Sequence, residues 1–373
     1  MTKKKNVSIK AILSFAVMYA VGGAVGFLLG TYVDHIDSPG LAFVWSLVML
    51  LGVALFTLVQ MAIHEAGHLL GGLATGYRFS SYRIGSLMLL REGDRLVLRR
   101  LSIAGTGGQC LMAPPPLVDG KIPYVLYNLG GSLANLAAAL IFGIIWFAAR
   151  GHVWLAPLAM LGCLLGLIFA LFNGIPLHAG PVDNDGYNAL SLGQHPAALR
   201  AFRAQMQINA ALAGGTRLRD MPDEWFAVEE DALHNAMTAA LAVFACNRLM
   251  DAHKFAEADA RMADLTRTDN AVTGLHRGLL TCDRIWCALM AGDRDRAASL
   301  DTAEQRKFMR SMKDFPGVLR TAHAQALLGE DDAARADQHE ARFAQIARCY
   351  PYPADIASEH ELIDLAKQHA NFC

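Results

Sequence analysis

Long, uninterrupted apolar stretches fill the first half of the chain, whereas the second half mixes apolar and polar residues at short intervals. A helix needs about 20 apolar residues to cross a bilayer. Four stretches reach that length, at residues 11–33, 41–63, 124–149 and 153–172. The pattern predicts a mostly α-helical, polytopic membrane protein with about four transmembrane helices, in a membrane domain over residues 1–193.

The first apolar stretch follows Lys3, Lys4 and Lys5, an arrangement that resembles a signal peptide. The apolar core of a signal peptide has about 7–15 residues and is followed by a cleavage site of small residues. The stretch over residues 11–33 is longer than that, and no clear cleavage site follows it. We therefore interpret it as a retained span.

Positive charges indicate the orientation of the spans, because lysine and arginine are enriched in cytoplasmic loops. They lie before the first stretch and in the loop between the second and the third, whereas the loop DHIDSPG has none. We expect the N-terminus, the basic loop and everything after about residue 173 to be cytoplasmic. The protein is then an integral, multi-pass protein, for which we expect a bacterial plasma membrane.

Two segments of the basic loop, YRFSSYRIGSLMLL and DRLVLRRLSIAG, alternate apolar and polar residues. The turn signal REGD separates them, and this combination is typical of paired strands. We predict a small cytoplasmic β-hairpin insertion with one or two hairpins. A basic loop without strands is the alternative, and it accounts for the arginines but not for the alternation.

The second apolar stretch continues into QMAIHEAGHLLGG, which contains an HExxH arrangement. His64 and His68 are four residues apart, so on a helix they stand on one face and can both bind one Zn²⁺. Glu65 lies beside the first ligand, where it can act as general base towards a water that the metal activates. We therefore expect one zinc ion per chain, bound by His64 and His68, with Glu65 as the catalytic residue.

A helix end at the membrane interface, where water solvates histidine and glutamate, is the alternative interpretation of this segment. No Lys, Arg, Asp or Glu occurs from Leu41 to Ile63. Ionisable groups at membrane depth are costly and usually functional. Three such groups at metal-ligand spacing favour the zinc site.

Catalytic zinc needs a third protein ligand and an open position for water. Candidates follow the fourth stretch, in LFNGIPLHAGPVDNDGYNAL, where Asn173 and Pro176 break the helix. Asp183, Asp185 and His178 all lie in this segment, and an aspartate would complete a His₂Asp site. The alternative is a polar exit loop rich in Gly, Pro and Asp.

Three motifs together resemble the site-2 protease family of intramembrane zinc metalloproteases: HEAGH at the end of one span, GGSLANL in the next, and NxxP followed by DG after the third. The resemblance covers about residues 41–190. In that family the HExxH motif and a later Asp before Gly bind zinc, and the Glu activates water. The resemblance implies Asp185, before Gly186, as the third ligand. Because the segment HAGPVDN departs from the family pattern, Asp183 and His178 stay alternatives.

Two amide side chains also lie at membrane depth. The family often carries Gly-Pro-x-x-Asn in its middle span, where this chain reads GSLAN with Ser132 in place of the proline. The resemblance implies that Asn135 and Asn173 lie near the active site and hold substrate backbone or an oxyanion. For Asn135 an interhelical hydrogen bond is an equally good interpretation.

The second half of the chain, residues 194–373, reads as an α-helical domain. Apolar residues recur there at helical spacing, and polar turns follow at intervals of roughly 36–40 residues, near the period of helical-hairpin repeats. The pattern is similar to tetratricopeptide repeats, with small residues around Ala258, Ala298 and Ala334 in equivalent places. An ordinary helical bundle is the alternative. A repeat domain of this kind can bind a regulator in its concave face.

Composition narrows the classes of function. Hydrophobic residues make up 54% of the chain, and the mean hydropathy of +0.28 is high for a soluble protein. The net charge of −1 gives no indication of nucleic-acid binding. Seven scattered cysteines without a CxxC pair argue against a disulfide framework or a cysteine zinc site.

The leading hypothesis is an intramembrane zinc endopeptidase that hydrolyses membrane-anchored protein or peptide substrates within the lipid bilayer. One alternative is a membrane zinc protease that matures peptides at the cytoplasmic face. Another is an inactive relative that acts as a binding or assembly factor for membrane proteins. The intact HExxH argues against inactivity, and the altered motif around Asp185 favours it. Few spans, with polar residues at one depth, argue against a transporter.

Overall fold

The computed structural model describes residues 36–93, 95–101, 107–177, 183–267 and 269–372, together with residues 22–23, 26 and 30–32. The first predicted span, residues 11–33, therefore lies largely outside the described residues, and so does His178. The described part of the chain is mostly helical, with one small antiparallel sheet.

Three helices in the described residues are long and apolar enough to cross a membrane. They are α1 (Pro39–Ala74), α2 (Tyr124–Ala148) and α3 (Leu155–Gly174). Their positions agree with the second, third and fourth predicted spans. Helix α1 continues past the apolar span, which ends at about Ile63, and carries the HEAGH motif as predicted.

Large apolar side chains cover the outer surfaces of these helices. Phe43 is 72% exposed, and Leu50 and Leu140 are each 67% exposed. Exposing so much apolar surface to water is unfavourable. The surfaces of α1 and α2 are therefore those expected of helices that contact lipid.

The basic loop folds into a four-stranded antiparallel sheet. Its strands are β1 (Arg78–Ile84), β2 (Leu87–Glu92), β3 (Arg95–Arg100) and β4 (Gly108–Ala113), in the order β3-β2-β1-β4. The predicted turn REGD joins β2 to β3, where Glu92 pairs with Arg95. The sheet is larger than the predicted hairpin, because β4 adds to the far edge of β1.

The remaining chain forms ten more helices in the described residues. They are α4 (Asp185–Ser191), α5 (Pro196–Ala213), α6 (Ala236–Asp251), α7 (Phe255–Arg267), α8 (Gly274–Met290), α9 (Arg294–Leu300), α10 (Ala303–Ser311), α11 (Pro316–Ala324), α12 (Ala333–Ala347) and α13 (Pro353–Phe372). Helix α11 continues as a π-turn over Gln325–Gly329. Apolar residues of α5 share one core with Met88 and Leu90 of the sheet, both fully buried.

Helical hairpins repeat along this region. The pairs α6–α7, α8–α9 and α11–α12 are each joined by a turn with one residue of positive φ, namely His253, Gly292 and Asp331. These three turn residues are spaced 39 positions apart, within the predicted interval. The equivalent buried alanines are Ala258, Ala297 and Ala336, each at most 5% exposed.

The buried alanines lie at or within two residues of the predicted positions Ala258, Ala298 and Ala334. Ala298 and Ala334 are exposed, and the buried positions lie one residue before and two residues after them. An alanine-rich helix offers several small residues in a row, so composition alone does not tell which one faces the core.

The chain divides into two compact units. The first comprises Met1–Gly67 and Gly131–Asn173, and the second comprises His68–Gly130 and Gly174–Cys373. In the first unit the interhelical packing relies on small residues, since a Cβ at Gly162 would lie 2.9 Å from the ring of Phe142. In the second unit the hairpins pack around the fully buried Trp286.

Candidate metal centre

The HEAGH motif lies within one unbroken helix. Helix α1 carries His64, Glu65 and His68, and each of the three is only 7% exposed. Since residues four apart lie one above the other on a helix, the two imidazoles share a face. This arrangement follows directly from the helical periodicity of the sequence.

The ring of His68 is held by a backbone carbonyl. Its Nδ1 lies 2.8 Å from the carbonyl oxygen of Tyr127, and a carbonyl can only accept. Nδ1 therefore carries a hydrogen, and in the neutral imidazole the lone pair that can bind a metal is on Nε2. That Nε2 atom lies 3.3 Å from Oδ2 of Asp185.

An amide side chain holds the ring of His64. Its Nδ1 lies 2.8 Å from Oδ1 of Asn135. Nδ2 of Asn135 donates to the backbone oxygen and to Oε1 of Gln60, each at 2.8 Å. Because both amide hydrogens of Asn135 are used there, its Oδ1 faces His64, and Nδ1 of His64 donates to it. In the neutral imidazole the lone pair of His64 is then on Nε2 as well.

A glycine lets the His64 ring lie against helix α2. A Cβ on Gly131 would stand 2.5–2.7 Å from three atoms of the imidazole, closer than real Cβ contacts come. Any larger residue at this position would displace either the ring or the helix. Gly131 therefore belongs to the site, although it offers no ligand atom.

Asp185 is the first residue of the short helix α4, and Asn184 fixes the chain in front of it. The Asn184 side chain accepts from the backbone N–H groups of Tyr187 and Leu177, both at 3.0 Å. It also donates to the carbonyl oxygen of Ile175 at 2.6 Å. One side chain thus caps the helix and closes the loop that carries the carboxylate.

Gly186 explains the Asp-Gly pair in physical terms. A Cβ at this buried position would overlap the carbonyl of Gly174, at the end of helix α3. Only glycine lets helix α4 begin so close to the end of α3, which is where Asp185 has to stand.

The ligand atoms of His64, His68 and Asp185 all lie within 4.8 Å of one another. Tetrahedral zinc ligands at about 2.0–2.2 Å stand about 3.3–3.5 Å apart, close to the distance between His68 and Asp185. Both histidines donate through Nδ1 to a fixed acceptor, which is the usual outer support of a histidine ligand. These residues fit a zinc ion in their chemistry and in their supports.

The other predicted residues lie elsewhere or act differently. Asp183 lines a cavity with Tyr187 and His234, and the carboxylate that joins the two histidines is that of Asp185. Nδ2 of Asn173 donates to the carbonyl oxygen of Phe169 in its own helix, at 3.0 Å. For Asn135 the interhelical hydrogen bond is the interaction present. Its role towards substrate, like that of Asn173, stays a prediction.

Sequence reasoning missed the supporting residues Gln60, Asn184, Tyr127 and Gly131. Gln60 gave a readable signal, because it is an amide four residues before His64 in an otherwise apolar stretch. The backbone carbonyl of Tyr127 gave no such signal, since every residue has a backbone carbonyl.

A second group of metal-ligand types lies on the surface of the helical region, at Glu340, His360 and Asp364. The ammonium group of Lys367 lies 2.7 Å from Glu340 and 3.1 Å from Asp364. A cation of the chain itself therefore neutralises these carboxylates, and we interpret the group as a surface ion-pair network.

No protein-family model, no curated protein and no solved structure matches this chain.

Proposed function

We propose that this protein is an intramembrane zinc endopeptidase that hydrolyses peptide bonds of membrane-anchored substrates. The observation that carries the proposal is the convergence of His64, His68 and Asp185 within 4.8 Å. Two of these ligands stand on a helix that is long and apolar enough to span a membrane. Ionisable groups are costly in such a helix and usually mark a functional site.

Zinc, when bound by these residues, supplies a Lewis acid and lowers the pKa of a water molecule towards neutrality. His64 and His68 keep their Nε2 atoms oriented because each Nδ1 is tied to a fixed acceptor. Glu65 accepts the proton of the attacking water and then delivers it to the leaving amine. One C–O bond forms and the C–N bond breaks, so the proton count is balanced by Glu65 alone.

The apolar surfaces of α1 and α2 support a substrate that shares the bilayer. A polypeptide in lipid keeps its backbone hydrogen bonds inside a helix, so the substrate must unwind locally before its amide can react. A metal centre on a helix of the same depth meets such a substrate where it crosses the membrane.

A second candidate is a membrane zinc protease that cuts peptides or soluble tails at the membrane face. A polar cavity of about 390 Å³ supports it, lined by Asp183 and Tyr187 near the third ligand and by His234 and Asn270 of the helical region. A water-soluble segment of substrate would fit there better than a transmembrane helix.

The test is zinc content and cleavage of a co-expressed membrane-anchored reporter, measured on the purified protein in detergent. We expect about one zinc per chain, retained by Glu65→Gln with cleavage abolished, and lost on Asp185→Ala. Asp183→Asn is the matched control for zinc content, because it removes a neighbouring carboxylate and should keep the zinc. A wild-type protein without zinc would refute the proposal. Cleavage of a soluble peptide but not of the anchored reporter would favour the second candidate.

A further inference from the structure

A chain of hydrogen bonds leads away from His64 and crosses three helices of the first unit. Nδ1 of His64 donates to Asn135 of α2, whose amide donates back to Gln60 of α1. The amide of Gln60 then donates to the backbone oxygen of Gly162 in α3, at 3.0 Å. The two amide side chains are both fully buried.

The direction of each hydrogen bond in this chain is fixed from its far end. The oxygen of Gly162 can only accept, so Gln60 presents Nε2 to it and Oε1 to Asn135. Asn135 must then donate to Gln60 and present its own oxygen to His64. The backbone oxygen of Gln60 also accepts from Asn135 and favours the same orientation, so two backbone carbonyls determine which nitrogen of His64 carries the hydrogen.

Burial makes the direction of these bonds matter. A buried amide that faces the wrong way leaves donors and acceptors unpaired, which is unfavourable for each group. In water the amides would turn freely at little cost. Between these buried helices the three hydrogen bonds that link His64, Asn135, Gln60 and Gly162 have one favourable set of directions.

Helix α3 is shaped to receive the Gln60 amide. A Cβ on Gly166 would lie 3.0 Å from Nε2 of Gln60 and 3.1 Å from the backbone oxygen of Asn135. A glycine at this position lets the amide reach the oxygen of Gly162, one turn earlier. Gly162 and Gly166 thus allow both the hydrogen bond of the Gln60 amide and the close packing of the helices.

We propose that Gln60 is a positioning residue for the metal ligand His64, acting through Asn135 and anchored on the backbone of α3. It touches neither substrate nor metal. Its action is to hold the Asn135 amide in the one orientation that keeps Nε2 of His64 turned to the metal. The inference rests on the proposed function for its effect on zinc affinity, but not for its effect on the orientation of the His64 ring.

The first measurement is zinc affinity of the purified full-length protein, by competition with a chelator. Loss of a direct outer partner of a ligand typically weakens binding 10–100-fold, and we expect this for Asn135→Leu. For Gln60→Leu we expect a smaller loss, on the order of three- to tenfold, because the backbone oxygen of Gln60 still holds Asn135. Gly166→Ala should act in the same direction without removing any polar group.

The matched control is Gly143→Ala, since a Cβ there would meet Sγ of Cys163 at 3.5 Å, an ordinary contact. The second measurement is the ¹⁵N chemical shift of the His64 ring in the zinc-free protein, assigned by comparison with His64→Gln. We expect hydrogen on Nδ1 in the wild type and a smaller excess of that tautomer in Gln60→Leu, where only the backbone oxygen of residue 60 still orients Asn135. A merely structural role would lower thermal stability but leave the tautomer unchanged.

The two measurements separate the two proposals. If the wild type binds no zinc, the proposed function fails, and the tautomer comparison still decides whether Gln60 orients His64. If Gln60→Leu and Gly166→Ala keep the wild-type zinc affinity and the wild-type tautomer, the positioning role is overturned.

Discussion

Gly131 has no room for a side chain beside the ring of His64. We predict that Gly131→Ala lowers zinc affinity by at least about tenfold, because the new Cβ would stand 2.5–2.7 Å from the His64 ring. Forcing one extra carbon into a packed site also costs about 1–3 kcal/mol. Chelator competition and thermal unfolding would measure the two effects, with Gly143→Ala as the control. Unchanged zinc affinity would show that the ring has another place to lie.

At the residue scale, the sequence predicts the ligands far better than their supports. His64 and His68 follow from helical periodicity, which is a local property of four residues. Their Nδ1 partners, Asn135 and the carbonyl of Tyr127, come from 71 and 59 residues further along the chain. Such pairs depend on how the helices pack, and periodicity carries no information about that.

At the scale of elements, the seven-residue helix α4 decides where the third ligand stands. It is too short to be stable alone. Its position therefore depends on the hydrogen bonds at its N-cap and in the loop before it. Asn184 supplies three of these bonds, to Tyr187, Leu177 and Ile175.

We predict that Asn184→Ala weakens zinc binding without touching a ligand. Loss of an N-cap costs about 0.5–2 kcal/mol, and the loop then samples positions in which Asp185 is displaced. We expect zinc to dissociate faster, as measured by chelator competition in stopped flow. The matched control is Asn173→Ala, which removes an amide bonded within its own helix. Equal dissociation rates for the wild type and Asn184→Ala would contradict this account of the loop.

The strands and helical hairpins show which elements local sequence patterns can predict and which they cannot. Alternation and the turn REGD predicted β2 and β3, and the polar turns predicted the helical period. Strand β4, GQCLMA, lacks the β-branched and aromatic residues that favour strands, and it forms by pairing with β1 about 30 residues earlier. Its existence depends on a long-range register that no local pattern reveals.

On the scale of the whole molecule, two kinds of surface share one chain. The first half exposes leucine and phenylalanine, whereas the helical second half buries ion pairs beside its apolar core. Arg320 is 1% exposed and pairs with Asp283 of α8 and Glu359 of α13. Arg217 likewise joins Asp251 of α6 to Glu361 of α13. The last helix is therefore docked through ion pairs as well as through its buried apolar residues, among them Leu362 and Ile363, and its stability should depend on pH.

Asp355 offers the sharpest test of that dependence. It lines a cavity of about 140 Å³ beside Asp251 and Glu359. Burial, followed by the negative charges of Glu359 and Asp251, raises the pKa of its carboxyl group to about 7. In the unfolded chain the pKa is about 3.9. Between these values the folded protein binds more protons than the unfolded one, so its stability falls as pH rises from about 4 to about 7.

We predict that Asp355→Asn removes this part of the pH dependence, because the amide has the same shape and no charge to desolvate. The variant should unfold at the same temperature as the wild type near pH 4 and at a higher temperature at pH 8, with a gain on the order of 1–3 kcal/mol. Thermal unfolding of the full-length protein at several pH values would measure it. The control is Asp331→Asn on the surface, where the Arg294 guanidinium lowers the pKa of the carboxyl group, so that it is ionised at neutral pH in both states. A wild type and an Asp355→Asn variant with parallel pH profiles would mean that the carboxyl is solvated, and that water enters the seam between α13 and the hairpins.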